Sequence, residues 1–241
     1  MKPFISIFFQ IIPNNKFFKI IRGLIISKLL KMDSKEKMKE LLVFDNFLKN
    51  ELAKSGVEYG SGTHIKHKIT DYHSFFLNNI NKNESVLDIG CGNAALTLSI
   101  FKKKKVRITG IEVDRKNFLS AKERVKNTKI NLINADASSH KFDESYDVVI
   151  LSNVLEHIRN RVSLLRRIKK EIKPKRVLLR VPVFKRDWTV LQKKRMGVEW
   201  RLDTTHFIEY TEEEFYNEIK KTGLKIKFIK FIWSEIWCVL A

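Results

Sequence analysis

The chain has 241 residues, of which 44% are hydrophobic and 31% are charged, and its formal net charge is +20. This composition fits a soluble globular protein with one substantial domain and extensions. Only two cysteines occur, Cys91 and Cys238, so a disulfide framework is excluded and a reducing, cytoplasmic location is expected. The positive charge leaves three interpretations open: nucleic acid as a partner, an anionic membrane face, or general lysine-rich usage.

Residues 1–31 differ in composition from the rest of the chain. An apolar, aromatic run over Pro3–Ile12 is broken by Pro13, and Lys16–Lys31 then combines apolar residues at helical spacing with basic ones. Neither run reaches the roughly 20 uncharged residues that a membrane-spanning helix needs, and no signal-peptide cleavage site follows. Two interpretations remain: a helix lying on an anionic membrane surface, or a hydrophobic cap on the domain.

Residues 32–82 are predicted to form a helical extension. Lys35–Lys54 has apolar residues at helical spacing, and the glycines at positions 56, 60 and 62 then indicate a loop. The segment His64–Phe76 is predicted to lead into another helix, which ends near Asn81. Its histidines have no carboxylate or cysteine nearby that would complete a metal site, so they are interpreted as solvated helix residues or as part of a cover over a ligand.

A strand, a glycine turn and a helix follow one another over Val86–Leu98. The strand is apolar except for Asp88, and the turn, Gly-Cys-Gly-Asn at positions 90–93, is small enough for a ligand to approach the backbone. The helix that starts near Ala94 presents free N–H groups to such a ligand. The third glycine of a dinucleotide fingerprint is missing, and a carboxylate precedes the first glycine. This favours S-adenosylmethionine (SAM) over NAD, because SAM has a cationic amino-acid end and no pyrophosphate.

The six residues Asp88–Asn93 resemble motif I of the class I SAM-dependent methyltransferases, of the type 11 and type 23-like kind that act on small molecules and glycans. Later landmarks come in the order of that family, at Ile111–Asp114, Asn134–Ala137 and Tyr146–His157. From Val86 onwards predicted strands and helices alternate, which indicates a parallel sheet covered on both faces. The resemblance implies an α/β, Rossmann-like class I methyltransferase fold over residues 83–241. Its sheet would be seven-stranded and mostly parallel, with a C-terminal antiparallel hairpin, and the N-terminal helical extension would cover the SAM site.

The resemblance also implies SAM-binding roles at the strand ends. A carboxylate about twenty residues past the glycine turn can accept hydrogen bonds from both ribose hydroxyls, which assigns Glu112 to the ribose. Asp136 is placed to accept a hydrogen bond from the adenine amino group, and His67 or Tyr72 would close over the SAM carboxylate. The residues expected to bind SAM are Asp88, Gly90, Cys91, Gly92, Asn93, Glu112, Val113, Asp136, Ala137, Ser152 and Asn153.

The segment after the fourth predicted strand carries a Glu-His pair, Glu156 and His157. In some relatives a glutamate three positions before this pair completes a divalent-metal site. In this chain Asn153 stands at that position, and an amide oxygen is a weaker ligand than a carboxylate. The sequence therefore predicts no bound metal.

An insertion over residues 184–205 interrupts the alternation after the fifth predicted strand. It is crowded with basic and aromatic residues, is expected to be irregular, and is predicted to be a lid over the strand ends. The stretch around its end resembles the part of small-molecule and glycan methyltransferases that brings a histidine to the substrate. His206 is therefore the first candidate for the general base, with Asp203 to orient it, and His157 is the second. A capping box at positions 211–214 then opens a helix.

These features predict transfer of the SAM methyl group to a small-molecule, glycan or lipid-linked acceptor, with O-methylation of a sugar hydroxyl as the first hypothesis. RNA methylation is an alternative that the charge favours, although Ser152–Leu155 lacks the Asn/Asp-Pro-Pro-Tyr motif of amino-directed nucleic-acid methyltransferases. A non-catalytic SAM-binding module is another alternative, and the intact motif I argues against it. The expected location is cytoplasmic, either free or peripheral on the inner face of the membrane.

Overall fold

The computed structural model describes residues 12–61 and 64–241, so nearly all of the apolar run predicted at 3–12 lies outside the described residues. The strands are β1 (Ser85–Ile89), β2 (Arg107–Glu112), β3 (Asn131–Asn134), β4 (Val148–Ser152), β5 (Arg176–Pro182), β6 (Ile226–Ile232) and β7 (Glu235–Leu240). The helices are α1 (Asn14–Leu29), α2 (Ser34–Tyr59), α3 (Lys66–Thr70), α4 (Tyr72–Asn78), α5 (Ala95–Lys104), α6 (Arg115–Val125), α7 (Arg161–Arg167), α8 (Trp188–Arg195) and α9 (Glu212–Thr222). Short 3₁₀ turns cover Leu155–His157 and Phe184–Arg186, and a π-helical turn at Ile168–Ile172 prolongs α7.

Within the described residues, seven strands form one sheet in the order β3-β2-β1-β4-β5-β7-β6, and β7 runs antiparallel to both of its neighbours. This confirms the predicted mostly parallel sheet with a C-terminal antiparallel hairpin. The chain passes from β1 to β2 and β3 on one side and returns through β4 and β5 on the other, so the strand order reverses between β1 and β4. In open α/β sheets ligands bind outside the carboxyl ends of the strands at such a reversal.

Alternate side chains of the central strands bury the two faces of the sheet. In β4, Val149 and Leu151 pack in the cluster that includes residues of α7 and α9, whereas Val148 and Ile150 pack in the cluster that includes residues of α4 and α5. Both faces of the central strands are therefore apolar, as is usual in buried parallel sheets. Asp88 is the charged exception in β1, and it lies at the end of the strand that leads into the glycine turn.

The helical extension differs from the prediction in two places. α2 continues through Gly56 to Tyr59, and the missing side chain of Gly56 leaves room for an imidazole: a Cβ there would stand 2.9 Å from His64 Cε1. The helix predicted from position 64 to near 81 is divided into α3 and α4 at Asp71, whose φ of 47° is left-handed. The structure has helices in this part of the chain, and their ends depend on these tertiary contacts and turns.

The insertion at 184–205 is more regular than predicted, because α8 forms inside it. The Asp187 carboxylate caps this helix by accepting a hydrogen bond from the N–H of Thr189 (3.0 Å). The buried Lys193 then donates from Nζ to Asp45 Oδ2 (2.5 Å) and Asn46 Oδ1 (2.8 Å) of α2. These contacts join the insertion to the helical extension.

Candidate active site

The two glycines of the turn after β1 have different surroundings. A Cβ built on Gly90, whose φ is +69°, would stand 2.5 Å from Val154 Cγ2. A Cβ on Gly92, whose φ is +56°, would meet no other described atom within 4 Å. Gly90 therefore permits close packing against the segment after β4. Gly92 leaves open space just before the N-terminus of α5, where a ligand can approach the backbone.

Asp88 is buried immediately before this turn. Its Oδ2 accepts a hydrogen bond from Thr97 Oγ1 (2.6 Å), which belongs to the first turn of α5. Burial raises the pKa of the Asp88 carboxyl to about 7, although the hydrogen bond from Thr97 opposes the shift. A cation placed nearby would stabilise the carboxylate, so the position suits the positively charged amino-acid end of SAM.

Glu112 ties the end of β2 to the glycine turn. Its Oε2 accepts a hydrogen bond from the N–H of Gly92 (2.7 Å), and its Oε1 accepts one from the N–H of Asp114 (2.8 Å). Each carboxylate oxygen has a further lone pair, so the group can accept hydrogen bonds from two ribose hydroxyls while it holds the turn. This geometry fits the role that the sequence predicted for Glu112.

The other predicted SAM residues on this side of the crevice differ in exposure. Val113 is 64% exposed next to Glu112, and its apolar surface is free to contact a flat ring. Asp136 and Asn93 are exposed, whereas Ala137 is buried. The Cys91 thiol is turned towards β2, where a Cβ on Gly110 would stand 2.8 Å from its sulfur, so Cys91 contributes packing rather than a side-chain contact to a ligand.

Ser152 and Asn153 lie at the end of β4, beside a buried ion pair. The N–H of Asn153 donates to the backbone oxygen of Arg180 (2.7 Å), and the φ of Asn153 is +56°. The Arg180 guanidinium binds Glu235 through two hydrogen bonds of 2.6 and 2.7 Å, from Nε and from an NH₂ group. Ser152 Oγ lies 3.5 Å from the other NH₂ group. The pair fixes the edge of the crevice where β4 and β5 end.

The helical extension reaches this ion pair through Tyr72. The Arg180 guanidinium carbon lies 4.0 Å from the centre of the Tyr72 ring, and the His67 ring packs against Tyr72 edge to face with 5.1 Å between centres. Lys66 Nζ stands 3.5 Å from Glu235 Oε1. Burial lowers the pKa of His67 to about 4, with the charge of Arg180 acting in the same direction. A neutral His67 and Tyr72 thus lie near the strand ends, where they were expected to close the SAM site.

The structure brings His157 and His206 together, with 4.6 Å between their ring centres. Nδ1 of the buried His206 lies 2.9 Å from Glu209 Oε1. Glu209 is also bound by Arg186, and although burial opposes ionisation, the hydrogen bond from His206 and the other contacts lower the pKa of Glu209. Since a carboxylate only accepts, Nδ1 of His206 carries the proton and Nε2 is left as a base.

Asp203 supports the other histidine. Its Oδ1 accepts hydrogen bonds from the N–H (2.8 Å) and the hydroxyl (2.7 Å) of Thr205, whose hydroxyl lies 2.8 Å from Nδ1 of His157. The turn directs the Asp203 carboxylate onto Thr205, and Glu209 lies at Nδ1 of His206, where Asp203 was expected. Burial lowers the pKa of His157, with a smaller effect of the neighbouring His206 in the same direction and an opposing effect of Asp203.

Glu156 completes a cluster with the histidine pair. Both of its carboxylate oxygens are buried without a hydrogen-bond partner among the described residues, and so is Oδ1 of Asn153. Burial raises the pKa of Glu156 to about 8. One potential ligand atom from each of Glu156, His157 and His206 lies within 4.8 Å of the others. Two imidazole nitrogens and a carboxylate form a donor set that a divalent transition metal accepts.

Three features of the site were not predicted from the sequence. Glu209 and Thr205 position the two histidines, and Thr97 holds Asp88. Glu209 lies three residues after His206 and Asp203 lies three residues before it. Sequence spacing alone therefore does not show which of the two carboxylates contacts His206. Thr97 could have been suspected from its place in the first turn of the helix that follows the glycines.

Comparison with known proteins identifies the family of this chain. Residues 61–227 match the family described as "Methyltransferase domain". (S)-Coclaurine N-methyltransferase from Thalictrum flavum subsp. glaucum is 37% identical over 94 residues, which are 37% of this chain and 26% of that protein. Ubiquinone biosynthesis O-methyltransferase from Rickettsia akari (strain Hartford) is 27% identical over 178 residues, which are 69% of this chain and 67% of that protein. The match to the coclaurine enzyme therefore leaves most of that protein's length uncovered.

A solved structure shares the fold. Magnesium protoporphyrin IX methyltransferase from Synechocystis PCC 6803, with bound S-adenosylhomocysteine, superposes with a TM-score of 0.57 at 14% identity, over 72% of this chain and 81% of that chain. At this identity the likeness shows the fold alone. The family match covers more than half of the chain and includes the glycine turn and all of the parallel strands. The chain therefore belongs to the class I SAM-dependent methyltransferases, whose cofactor is SAM.

Proposed function

We propose that this methyltransferase transfers the methyl group of SAM to a hydroxyl group of a small polar acceptor, with His206 as the general base. The observation that carries the proposal is the buried contact between Nδ1 of His206 and Glu209, at 2.9 Å. A carboxylate on Nδ1 selects the tautomer of the neutral ring in which Nε2 has the free lone pair, and it stabilises the imidazolium that forms when Nε2 takes a proton.

SAM supplies the methyl group, whose bond to sulfur breaks with its electron pair left on sulfur as the new bond to the acceptor oxygen forms. The protein has two tasks in such a displacement. It holds the two reactants in line, for which Asp88, the glycine turn and Glu112 position the donor. It also removes the acceptor proton, which passes to Nε2 of His206. His157, held by Thr205 and Asp203, is the second candidate for this base.

The acceptor that we favour is a sugar hydroxyl on a glycan or a lipid-linked molecule. A cavity of about 520 Å³ lies between α2 and the insertion. Arg186, Trp200 and Arg201 on one side and Asn46 and Asn50 on the other contribute to its lining. An aromatic ring among many hydrogen-bonding groups suits a sugar better than a purely apolar substrate. The similarity to an O-methyltransferase along two thirds of both chains supports oxygen as the methylated atom.

The proposal is tested with isotope-labelled SAM and separate glycan, lipid and RNA fractions of a cell extract. We expect label in an ether-linked methyl group of the glycan or lipid fraction. His206→Ala should lower turnover by about 10²- to 10⁴-fold, with nearly unchanged SAM affinity, and His140→Ala, at a histidine between β3 and β4, serves as the control. Label confined to RNA, or SAM binding without any transfer, would contradict the proposal. Full activity of His206→Ala together with an inactive His157→Ala would move the base to His157.

A second candidate arrangement rests on the unpartnered carboxylate oxygens of Glu156. Glu156, His157 and His206 fit a divalent cation, and Asn153 Oδ1 is a further buried acceptor. Bound there, a cation would polarise the acceptor hydroxyl and lower its pKa, and the histidines would be ligands rather than bases. Metal analysis of the purified protein, with Co²⁺ titration followed by absorbance, separates the two arrangements. Binding that is lost in Glu156→Ala supports the cation, and its absence in the unaltered protein supports the base.

A further inference from the structure

The pair of helices α1 and α2 exposes much of its apolar surface. Among the described residues, none of α1 is buried, and only Leu42 and Gly56 of α2 are. Large apolar side chains are instead exposed, including Leu24 (63%) on α1 and Leu48 (50%) and Leu52 (73%) on α2. Isolated exposed apolar residues are ordinary, but a contiguous patch indicates an interaction site.

The exposed residues of α2 form one continuous face. Leu41, Phe44, Leu48 and Leu52 are spaced by three or four residues, which puts them on one side of a helix. A groove of about 380 Å³ between the helices continues this face onto α1, where Leu24 and Ile25 line it together with Leu41 and Phe44. α2 holds Lys193 of the insertion through other positions, Asp45 and Asn46. The apolar face thus remains free while the helix stays attached to the domain.

The positive charge beside this face indicates an anionic partner. α1 carries four basic residues and no acidic one: Lys16, Lys19, Arg22 and Lys28. A basic amphipathic helix binds an anionic bilayer by burying apolar side chains at the headgroup boundary while its cations contact lipid phosphates. A second copy of the chain would bring the same four positive charges to a symmetric contact, where they would repel. In the part of the chain that the structure describes, no helix has the length and apolar run needed to cross a bilayer.

We propose that the face formed by α1 and α2 is a docking surface for an anionic phospholipid membrane. α1 lies along the headgroup boundary, and the apolar side chains of both helices enter it. Because α2 also binds the insertion through Lys193, docking brings the cavity between α2 and the insertion close to the lipid. The inference does not depend on the proposed reaction, since it rests on the surface alone.

The test uses the full chain and vesicles, without SAM or acceptor. Binding is measured by flotation with vesicles of phosphatidylcholine and with vesicles of equal parts phosphatidylcholine and phosphatidylglycerol. We expect binding to the anionic vesicles only, and weaker binding as salt rises. The triple variant Lys16→Glu, Lys19→Glu, Arg22→Glu should bind the anionic vesicles at least about tenfold more weakly. A control with the same change in net charge, Lys102→Glu, Lys103→Glu, Lys129→Glu, alters exposed lysines elsewhere and should bind as the unaltered chain does.

A second pair of variants tests the apolar part of the surface. Leu24→Ser with Leu48→Ser should also weaken vesicle binding about tenfold, whereas Leu119→Ser with Phe228→Ser, at residues that are 51% and 47% exposed on other elements, should not. Thermal unfolding checks that all variants fold. Equal binding to neutral and anionic vesicles, or no binding at all, would overturn the proposal. So would sedimentation that shows self-association lost in the Leu24 and Leu48 variant while vesicle binding is unchanged, since the face would then be a contact between copies.

Discussion

Replacing Gly92 with alanine should have two separately measurable effects, a small loss of folding stability from backbone strain and a loss of SAM affinity. At a φ of +56° an alanine is strained by about 1 to 2 kcal/mol. In a domain of this size each kcal/mol lowers the midpoint of thermal unfolding by about 2 to 4 °C. No described atom lies within 4 Å of the new methyl group, so the fold itself has room for it. The space it fills is the one that SAM is expected to occupy, and SAM affinity should therefore fall by more than about tenfold, or 1.4 kcal/mol.

Gly197 provides the matched control for this substitution. Its φ is +68°, and a Cβ there also meets no described atom within 4 Å, but it lies in the insertion. Gly197→Ala should show the same small loss of thermal stability and no loss of SAM affinity. Isothermal titration calorimetry with SAM measures affinity, and calorimetric unfolding measures stability. Unchanged SAM affinity in Gly92→Ala, or an equal loss in both variants, would refute the location of the cofactor over the glycine turn.

Glu112→Ala should weaken SAM binding, measured by calorimetry, by about 2 to 4 kcal/mol. An effect of only about a few tenths of a kcal/mol would contradict the role of Glu112 in binding the ribose. SAM affinity should fall as the pH is lowered through about 7, because the free Asp88 carboxyl protonates there while the cationic ligand favours its deprotonated form; an affinity that stays constant across this range would contradict the role of Asp88. Glu235→Gln leaves the buried Arg180 without its charged partner, so denaturant titration should show a loss of about 3 to 5 kcal/mol of unfolding free energy, and a loss below about 1 kcal/mol would show that solvent or another group replaces it.

The features predicted correctly are those that nearby residues determine. The glycine turn lies between its predicted strand and helix, and the mostly parallel sheet with its C-terminal antiparallel hairpin is present as predicted. The capping box at positions 211–214 is present as predicted, with Thr211 and Glu214 each bonded to the backbone of the other. Such signals act within one turn of the chain, so sequence spacing is sufficient to identify them.

The features missed depend on contacts between distant segments or on the direction of a turn. Asp203 and Glu209 are equally far from His206 in sequence, and only the turn that bends Asp203 onto Thr205 decides between them. Glu156 could be identified as one of a Glu-His pair, but its approach to His206 crosses 50 residues of chain that include β5 and α8. The continuation of α2 through Gly56 likewise depends on the imidazole of His64.

In the proposed mechanism the methyl donor and the histidine pair share one site at the carboxyl ends of the strands. A crystal structure of the chain with S-adenosylhomocysteine would show whether they do. We expect the ribose hydroxyls on the Glu112 carboxylate, the amino-acid end beside Asp88 and Gly92, and the sulfur facing the opening where His157 and His206 meet. A ligand bound away from Glu112, or a sulfur turned away from both histidines, would show that the donor and the histidines do not share a site.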